Sequence, residues 1–180
     1  MKNRLPATVE RFILLWGDMG GAWGVNRSVS QIHALLYLSE RPLTAEQIAD
    51  ALGIARSNVS NSIKELLNWG LIHRVPIRAD RRDHFEAETD IWEVASLIAA
   101  GRKQRELDPA IAALKACMTA AEADASIHPI ARQRLKAMLD FTETVDRWHT
   151  QMLSVPKATL AALIGLGGKI VKYLPLGKAK

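Results

Sequence analysis

Ala55-Arg-Ser-Asn-Val-Ser-Asn-Ser-Ile-Lys-Glu-Leu-Leu-Asn-Trp69 is the stretch of sequence that decides the fold. Its apolar residues recur at i, i+4, i+7 and i+8, the spacing of one buried stripe on a helix, and are Val59, Ile63, Leu66 and Leu67. A second face carries Arg56, Ser57, Ser60, Asn61 and Lys64. Serine and asparagine suit base edges and phosphates better than they suit an ordinary solvated helix. The stretch therefore predicts a helix with a buried face and a face suited to nucleic acid; the alternative is a polar face that only meets solvent.

A short capped helix is predicted directly before this stretch. Thr44 lies three residues before Gln47, which is the spacing of a capping box, and Leu43 can contact Ile48 as a hydrophobic staple. Gly53 then supplies the sharp turn that ends the helix. A capped helix, a glycine turn and a second helix are the arrangement of a helix-turn-helix.

Two strands joined by a charged tip are predicted after it. The strands cover residues 71–76 and 84–89, and the tip is Arg78-Ala-Asp-Arg-Arg-Asp83. Between residues 56 and 83, six Lys and Arg residues face three acids, so +3 of the chain's net charge of +5 lies there. A helix-turn-helix followed by a basic hairpin is a winged helix, and the positive charge is concentrated in it.

Further helices are predicted on both sides of the winged helix. The first covers residues 7–16 and should end at the glycines of Gly17-Asp-Met-Gly-Gly21, and a second runs from Ser28 to Glu40. Asp90, with Glu93 three residues later, should begin a helix that reaches about residue 125. We expect a kink in that helix at Gly101 or at Asp108-Pro109, and apolar helical segments over residues 130–153 and 157–174.

The predicted architecture is mainly α-helical with a small β-hairpin wing, a winged helix-turn-helix flanked by dimerisation helices. Residues 1–26 are expected to form an N-terminal helix that contributes to dimerisation, residues 27–90 the DNA-binding domain, and residues 91–180 a helical dimerisation and effector region. The flanking helices carry more apolar surface than the wing module can cover, so we expect a homodimer.

The composition is that of a globular protein with a modest positive charge. The sequence pI of about 9.6 permits a polyanionic partner without requiring one. The single cysteine, Cys117, lies in an alanine-rich segment that predicts a buried thiol in a reducing compartment. We expect a cytoplasmic protein that does not bind membranes, because neither a signal peptide nor an apolar stretch of about 20 residues is visible. Attachment to a membrane surface through residues 157–180 is the weaker alternative, because their glycines disfavour a free helix.

Motifs that would indicate catalysis are missing from the sequence. Its histidines do not have metal-ligand spacing, and neither a phosphate-binding loop nor a Gly-x-Ser-x-Gly motif is present. The acids near Asp83-His84 could form a metal site, but alternation along a strand explains them more simply. We therefore expect no enzyme activity, no catalytic residues, no cofactor and no metal.

The order of short motifs from about residue 10 to 95 resembles the MarR-like winged-helix transcriptional regulators, and most closely their GbsR-type branch. The motifs are Trp16-Gly17, Arg27-Ser-Val, Leu35-Leu-Tyr-Leu-Ser, Pro42-Leu-Thr, Ile48-Ala-Asp-Ala-Leu-Gly, Ser57-Asn-Val-Ser, Trp69-Gly-Leu-Ile and Arg82-Asp-His-Phe-Glu-Ala-Glu-Thr-Asp-Ile-Trp92. Each motif is weak alone, but their order and spacing are specific. The resemblance implies a dimeric repressor or activator that binds double-stranded DNA at a pseudo-palindromic operator.

The same resemblance implies roles for individual residues. It assigns base reading to Ser57, Asn58, Ser60 and Asn61, and phosphate contact to Arg56 and Lys64. In the wing it implies that Asp80 orients Arg82 toward DNA; Arg81 is an equally good DNA-contacting residue, and Arg78 belongs to the same basic tip. One departure is Ala55, where the family often has a serine that caps the recognition helix, and this weakens the cap by about 1 kcal/mol.

The resemblance also implies a small-molecule effector, since some GbsR-type proteins respond to choline or related osmolytes. Tryptophans can bind such quaternary ammonium compounds, and the chain has five: Trp16, Trp23, Trp69, Trp92 and Trp148. The simpler interpretation of these residues is core and interface packing. The alternative to DNA binding is a winged helix that contacts proteins within a larger assembly without reading DNA.

Overall fold

The computed structural model describes residues 5–167 and residue 169. Its helices are α1 (Ala7–Ala22), α2 (Arg27–Tyr37), α3 (Ala45–Leu52), α4 (Arg56–Asn68), α5 (Ile91–Arg102), α6 (Asp108–Ala123), α7 (Pro129–Ser154) and α8 (Lys157–Leu166). The strands β1 (Leu43–Thr44), β2 (Ile72–Ile77) and β3 (Asp80–Ala87) form one antiparallel sheet in the order β1-β3-β2. The predicted fold class, mainly helical with a small hairpin wing, is confirmed.

The chain forms two compact units, the first ending at Ile98 and the second beginning at Ala99. In the first unit α2 is the central element, because it contacts α1, α3, α4 and β3. Its buried side chains include Ile32 and Leu35, and Ile48 of α3 and Val59 of α4 are completely buried in the same core. The core therefore fixes α3 and α4, the two helices of the helix-turn-helix, against one shared partner.

The prediction that α1 ends at its glycines was wrong. α1 continues to Ala22, and Gly17 and Gly20 are buried inside it. A Cβ atom added at Gly17 would lie 2.7 Å from Cγ of Gln31, and one at Gly20 would overlap the side chain of Ser30. Glycine fits here because α2 packs closely on this face of α1. This packing offsets the cost of about 1 kcal/mol that each glycine carries in a helix relative to alanine.

The helix start at Thr44 was predicted correctly. Thr44 Oγ1 accepts a hydrogen bond from the backbone N–H of Gln47 at 3.3 Å, and Gln47 Oε1 accepts one from the N–H of Thr44 at 2.8 Å. Gly53 ends α3 with a left-handed φ of 66°. The sequence did not reveal β1, in which Leu43 pairs with Phe85 and Thr44 with His84. This short strand attaches the wing directly to the first residue of the helix-turn-helix.

The tip of the wing is much shorter than predicted. Ile77 pairs with Asp80, so only Arg78 and Ala79 form the turn, and β3 already begins in the charged segment assigned to the tip. An exposed strand does not need apolar residues, because its backbone hydrogen bonds hold it to β2. β2 is an edge strand, and its Pro76 lies at a register shift between Val75 and Ile77, where a proline costs no ladder hydrogen bond.

The second unit contains a helical hairpin of α6 and α7. A π-helical turn, Lys103–Leu107, connects α5 to α6 and lies between the two kink positions that we predicted. Lys103 pairs with both Asp108 and Asp146, and Lys115 of α6 pairs with Glu143 of α7 at 3.0 Å.

Three expectations from the sequence concern residues of this unit. The helix predicted over residues 130–153 is confirmed as α7. The expectation of a buried Cys117 was wrong: the thiol is exposed, because α6 buries little besides Ile111 and Ala121. α8 ends at Leu166, and residues 168 and 170–174 of the predicted last segment lie outside the described residues.

Candidate nucleic-acid interface

α4 is held to the first unit by one face and leaves its other face in solvent. The buried side chains are Val59, Ser62, Ile63 and Leu66, and the helix packs against α2 and α3. The exposed residues are Arg56, Ser57, Asn58, Ser60, Asn61 and Lys64. The structure therefore places on the solvent side of α4 every one of its residues that was predicted to contact DNA.

Arg56 and Asn58 already have protein partners. Arg56 Nη2 lies 2.7 Å from Oε1 of Glu46 in α3, and Asn58 Nδ2 donates a hydrogen bond to Oγ of Ser28 at 2.9 Å. Within the described residues, the side chains of the other predicted contacts on α4 make no hydrogen bond or ion pair; these are Ser57, Ser60, Asn61 and Lys64. These side chains can accept partners from outside the chain, whereas Asn58 helps to fix α4 to the start of α2.

Arg82 in the wing is held by two acidic side chains. Its Nε donates a hydrogen bond to Asp80 Oδ1 at 3.0 Å, its Nη2 pairs with Asp80 Oδ2, and its Nη1 lies 3.7 Å from Glu46 Oε2. The hydrogen bonds from Arg82 keep the pKa of the Asp80 carboxyl far below its ordinary value, and Asp80 in turn raises the pKa of Arg82. Asp80 therefore contacts the arginine that it was predicted to orient.

His84 supports this pair from the interior of the sheet. Its Nδ1 donates a hydrogen bond to the carbonyl oxygen of Arg82 at 2.9 Å, and its Nε2 lies 3.5 Å from Asp80 Oδ2. The side chain is buried, unlike that of Arg82. Asp80, Arg82 and His84 occur at i, i+2 and i+4, and a period of two could have shown that they share one face of the strand.

Arg78 and Arg81 are the wing arginines without an ion pair in the described part of the chain. Both are exposed, at or beside the two-residue turn. Arg74 on β2, by contrast, lies 3.5 Å from Asp83. Two of the three predicted wing contacts are thus free to bind an anion, while the third, Arg82, already has carboxylate partners.

Two residues of this surface were not identified from the sequence. Glu46 lies in the first turn of α3, where an acid is favoured by the helix dipole, so its presence there suggested nothing further. Ser28 lies 30 positions before Asn58 and meets it only because α2 and α4 pack together. Neither contact has a local signal, because each joins segments that are distant along the chain.

An aromatic cavity of about 230 Å³ lies inside the first unit, and it is lined by Phe12, Trp16, His33, Ala34, Tyr37, Ile91 and Val94. Phe12 stacks on Trp16 with ring centroids 5.8 Å apart, and the His33 ring is 6.3 Å from the rings of both Trp16 and Tyr37. His33 is 4% exposed, and its Nε2 has no hydrogen-bond partner in the described part of the chain. Burial lowers the pKa of His33 to about 4, so the imidazole is neutral at pH 7.

The tryptophans do not form one aromatic cage. Trp16 lines the cavity of about 230 Å³, and Trp16 and Trp69 both line a second one of about 50 Å³ that also includes His33. Trp23, Trp92 and Trp148 are exposed. The aromatic lining of the cavity of about 230 Å³ therefore comes from Trp16 together with Phe12, Tyr37 and His33.

Across residues 5–167 and 169, we find no cluster of three or more His, Cys, Asp and Glu side chains that could hold a metal ion. The same part of the chain contains no helix with the length and apolar character needed to cross a membrane.

Comparison with known proteins identifies relatives of the winged-helix region. Residues 23–83 match the MarR family. The chain is 24% identical over 84 residues to YvaV of Bacillus subtilis (strain 168), an inferred HTH-type transcriptional regulator, and 23% identical over 79 residues to the HTH-type transcriptional repressor OpcR of the same organism. These matches cover 47% and 43% of the chain and 48% and 43% of the relatives, so the chain spans about half the length of the curated relatives that it matches.

A solved structure supports the fold. The crystal structure of a transcriptional regulator aligns with 81% of this chain and 95% of its own, with a TM-score of 0.56 and 20% sequence identity. At this level of identity the likeness concerns the fold alone. The match to the MarR family covers residues 23–83, the region that contains the helix-turn-helix and β2 with the first part of β3. The structural likeness agrees with the winged-helix fold of that region.

Proposed function

We propose that the chain is a sequence-specific DNA-binding transcriptional regulator of the MarR type, in the GbsR-type branch. The observation that carries this proposal is the set of uncommitted polar side chains on α4 beside the unpaired arginines of the wing. α4 would lie in the major groove, where Ser57, Ser60 and Asn61 would face base edges, and Arg78 and Arg81 would contact the backbone. The MarR family match and the named functions of the two relatives support the same function.

The second candidate function is a winged helix that contacts another protein. The cores of protein-binding surfaces are usually depleted of lysine and serine and enriched in aromatic side chains. The exposed face of α4 has neither property, because it presents serine, asparagine and a lysine to solvent. The chemistry of this face therefore favours nucleic acid as the partner.

The proposal can be tested by selecting the fragments of the host genome that the purified protein binds. Binding to a recovered fragment and to a shuffled duplex would then be measured by fluorescence anisotropy at several salt concentrations. Asn61→Ala should reduce the preference for the recovered fragment. Arg81→Ala should weaken both complexes and should reduce the salt slope, the steepness of log affinity plotted against log salt concentration, by about 1. Arg41→Ala is the control, because it removes an exposed arginine from the loop between α2 and β1. Equal and salt-insensitive binding to both duplexes would contradict the proposal and favour the protein-binding alternative.

We further propose that the regulator acts as a repressor. The relative OpcR is named as a repressor, and a protein bound over a promoter hinders polymerase by occupying the site. A reporter gene placed behind the recovered fragment should be expressed more strongly in a strain that lacks the protein. Lower expression in that strain would instead identify an activator.

We propose that two copies pair through α7 to form the dimer. Met138, Phe141, Val145, Trp148 and Met152 recur along this helix at alternating spacings of three and four residues, which is the pattern of a coiled-coil seam. Met138, Phe141 and Trp148 are exposed, with Phe141 67% exposed, although α7 also packs against α6. Thr144 and Gln151, which flank the seam, carry no charge, so identical helices can pair without like-charge repulsion.

The aromatic cavity is our proposed effector site. Its rings can attract a quaternary ammonium group, and neutral His33 does not repel a cation. Choline should raise the thermal unfolding midpoint of the wild-type protein, because a ligand that binds only the folded state stabilises it. Trp16→Leu should remove this shift, and Trp23→Leu, which changes an exposed tryptophan, should retain it. The same shift in both variants would show that choline does not bind in this cavity.

A further inference from the structure

A single carboxylate connects the two surfaces that are proposed to contact DNA. Glu46 Oε1 lies 2.7 Å from Arg56 Nη2 on α4, and Glu46 Oε2 lies 3.7 Å from Arg82 Nη1 in the wing. All three side chains are accessible, with exposed fractions of 46% for Glu46, 73% for Arg56 and 56% for Arg82. A phosphate group can therefore approach the same guanidinium groups from solvent.

The contacts differ in how easily a phosphate could replace them. Two nitrogens of Arg82 are held by Asp80, whose Oδ1 also accepts a hydrogen bond from the backbone N–H of Arg82 at 3.0 Å. The remaining nitrogen, Nη1, and the whole guanidinium of Arg56 face only Glu46 among the acids of the described chain. Carboxylate and phosphate both bind guanidinium through charge-assisted hydrogen bonds. Glu46 thus occupies the donors that a DNA phosphate would otherwise use.

We propose that Glu46 is an internal competitor for the DNA backbone. In the free protein it holds Arg56 and the Nη1 group of Arg82, and it must release them when phosphates bind. Binding to any DNA sequence is then weaker, while the base contacts from Ser57 and Asn61 are unaffected. This inference rests on the proposed function, and it assigns to Glu46 the role of limiting sequence-independent binding so that base contacts decide where the protein stays.

The test compares Glu46→Gln with Asp50→Asn in the full chain. Asp50 lies one turn further along α3, is exposed and makes no ion pair in the described structure, so its replacement removes the same charge without releasing an arginine. Glu46→Gln should tighten binding to operator and shuffled duplexes alike, by about two- to fivefold more than Asp50→Asn, the size expected for one exposed ion pair. The salt slope should become steeper by up to about 1. In an Arg56→Ala background the gain from Glu46→Gln should shrink, because the main arginine that it frees is missing.

The possible results separate this inference from the proposed function. If the wild-type protein binds its operator and the two variants behave alike, Glu46 acts only through its charge and the competition is refuted. Weaker binding by Glu46→Gln would show that Glu46 positions the arginines for DNA, which also overturns the inference. A wild-type protein that binds no DNA refutes the proposed function itself, and the inference with it.

Discussion

His33 shows how the environment of one residue controls stability. Aromatic and apolar side chains of α1, α2 and α5 surround it, and burial lowers the pKa of its imidazole to about 4 from an ordinary value of 6.5. The unfolded chain therefore binds a proton near pH 6.5, while the folded chain does so only near pH 4. The stability that depends on a neutral His33 is fully present above pH 6.5. It is lost as the pH falls toward 4, by up to about 3 kcal/mol.

The measurement is the unfolding free energy from urea titrations between pH 7.5 and about 4, the range set by these two pKa values. The difference between wild type and His33→Leu isolates the histidine, because all other groups titrate in both proteins. Arg82 lowers the pKa of Asp80, so the stability that ionised Asp80 contributes is lost only below this pH range. A difference that stays constant with pH would contradict the burial argument.

Ala79 occupies a backbone conformation that disfavours its own side chain. Its φ of 65° is in the left-handed region, at the second position of the wing turn. Ala79→Gly removes the steric cost of about 1 kcal/mol but makes the unfolded chain more flexible, so we expect a net stabilisation of about 0.5 kcal/mol. Ala95→Gly in α5, where the same change is made on an exposed helical face, should destabilise by about 1 kcal/mol. Destabilisation by both variants in thermal melts would rule out strain at the turn.

At the scale of the elements, the two helices of the helix-turn-helix begin very differently. α3 has a complete capping box, whereas Ala55, the N-cap residue of α4, supplies no side-chain hydrogen bond. The φ of −63° and ψ of 141° at Ala55 fit an N-cap. Ala55→Ser should therefore stabilise the protein by about 1 kcal/mol, and Thr44→Ala should destabilise it by a similar amount. Urea unfolding of the two variants checks both signs; no gain from Ala55→Ser would mean that solvent already satisfies the start of α4.

The elements also show what the sequence could and could not predict. The capping box at Thr44 and the left-handed Gly53 depend on neighbouring residues, so their local pattern was sufficient. The length of α1 depends on the approach of α2 to Gly17 and Gly20, and the wing turn depends on the pairing of Ile77 with Asp80. These contacts arise from packing and strand register, which a local pattern does not contain.

The candidate site follows the same division. The residues of α4 that share a solvent-exposed face were predictable, because helical spacing alone places them together. The bridge from Glu46 to Arg56 and Arg82 was not, since it needs three elements in their folded positions. The DNA-contacting roles of these residues remain predictions.

At the scale of the whole molecule, dimer formation can be tested through α7. Phe141→Glu places a charge in the proposed seam, where pairing would bury it beside the same charge of a second copy. We expect the wild-type protein to sediment as a dimer at micromolar concentration and the variant as a monomer. Thr150→Glu, on the same helix but outside the seam, should remain a dimer. A wild-type monomer, or a dimer that tolerates Phe141→Glu, would exclude this seam.

The close approach of α1 and α2 has a consequence for the history of the sequence. Because a methyl group at position 20 would overlap the side chain of Ser30, a mutation from Gly20 to alanine is harmful in any ancestor that still carries Ser30. A lineage can reach alanine at position 20 only after glycine has replaced Ser30. The order of these two mutations is therefore constrained, and related sequences should contain the pairs glycine–serine, glycine–glycine or alanine–glycine, while alanine–serine should be rare.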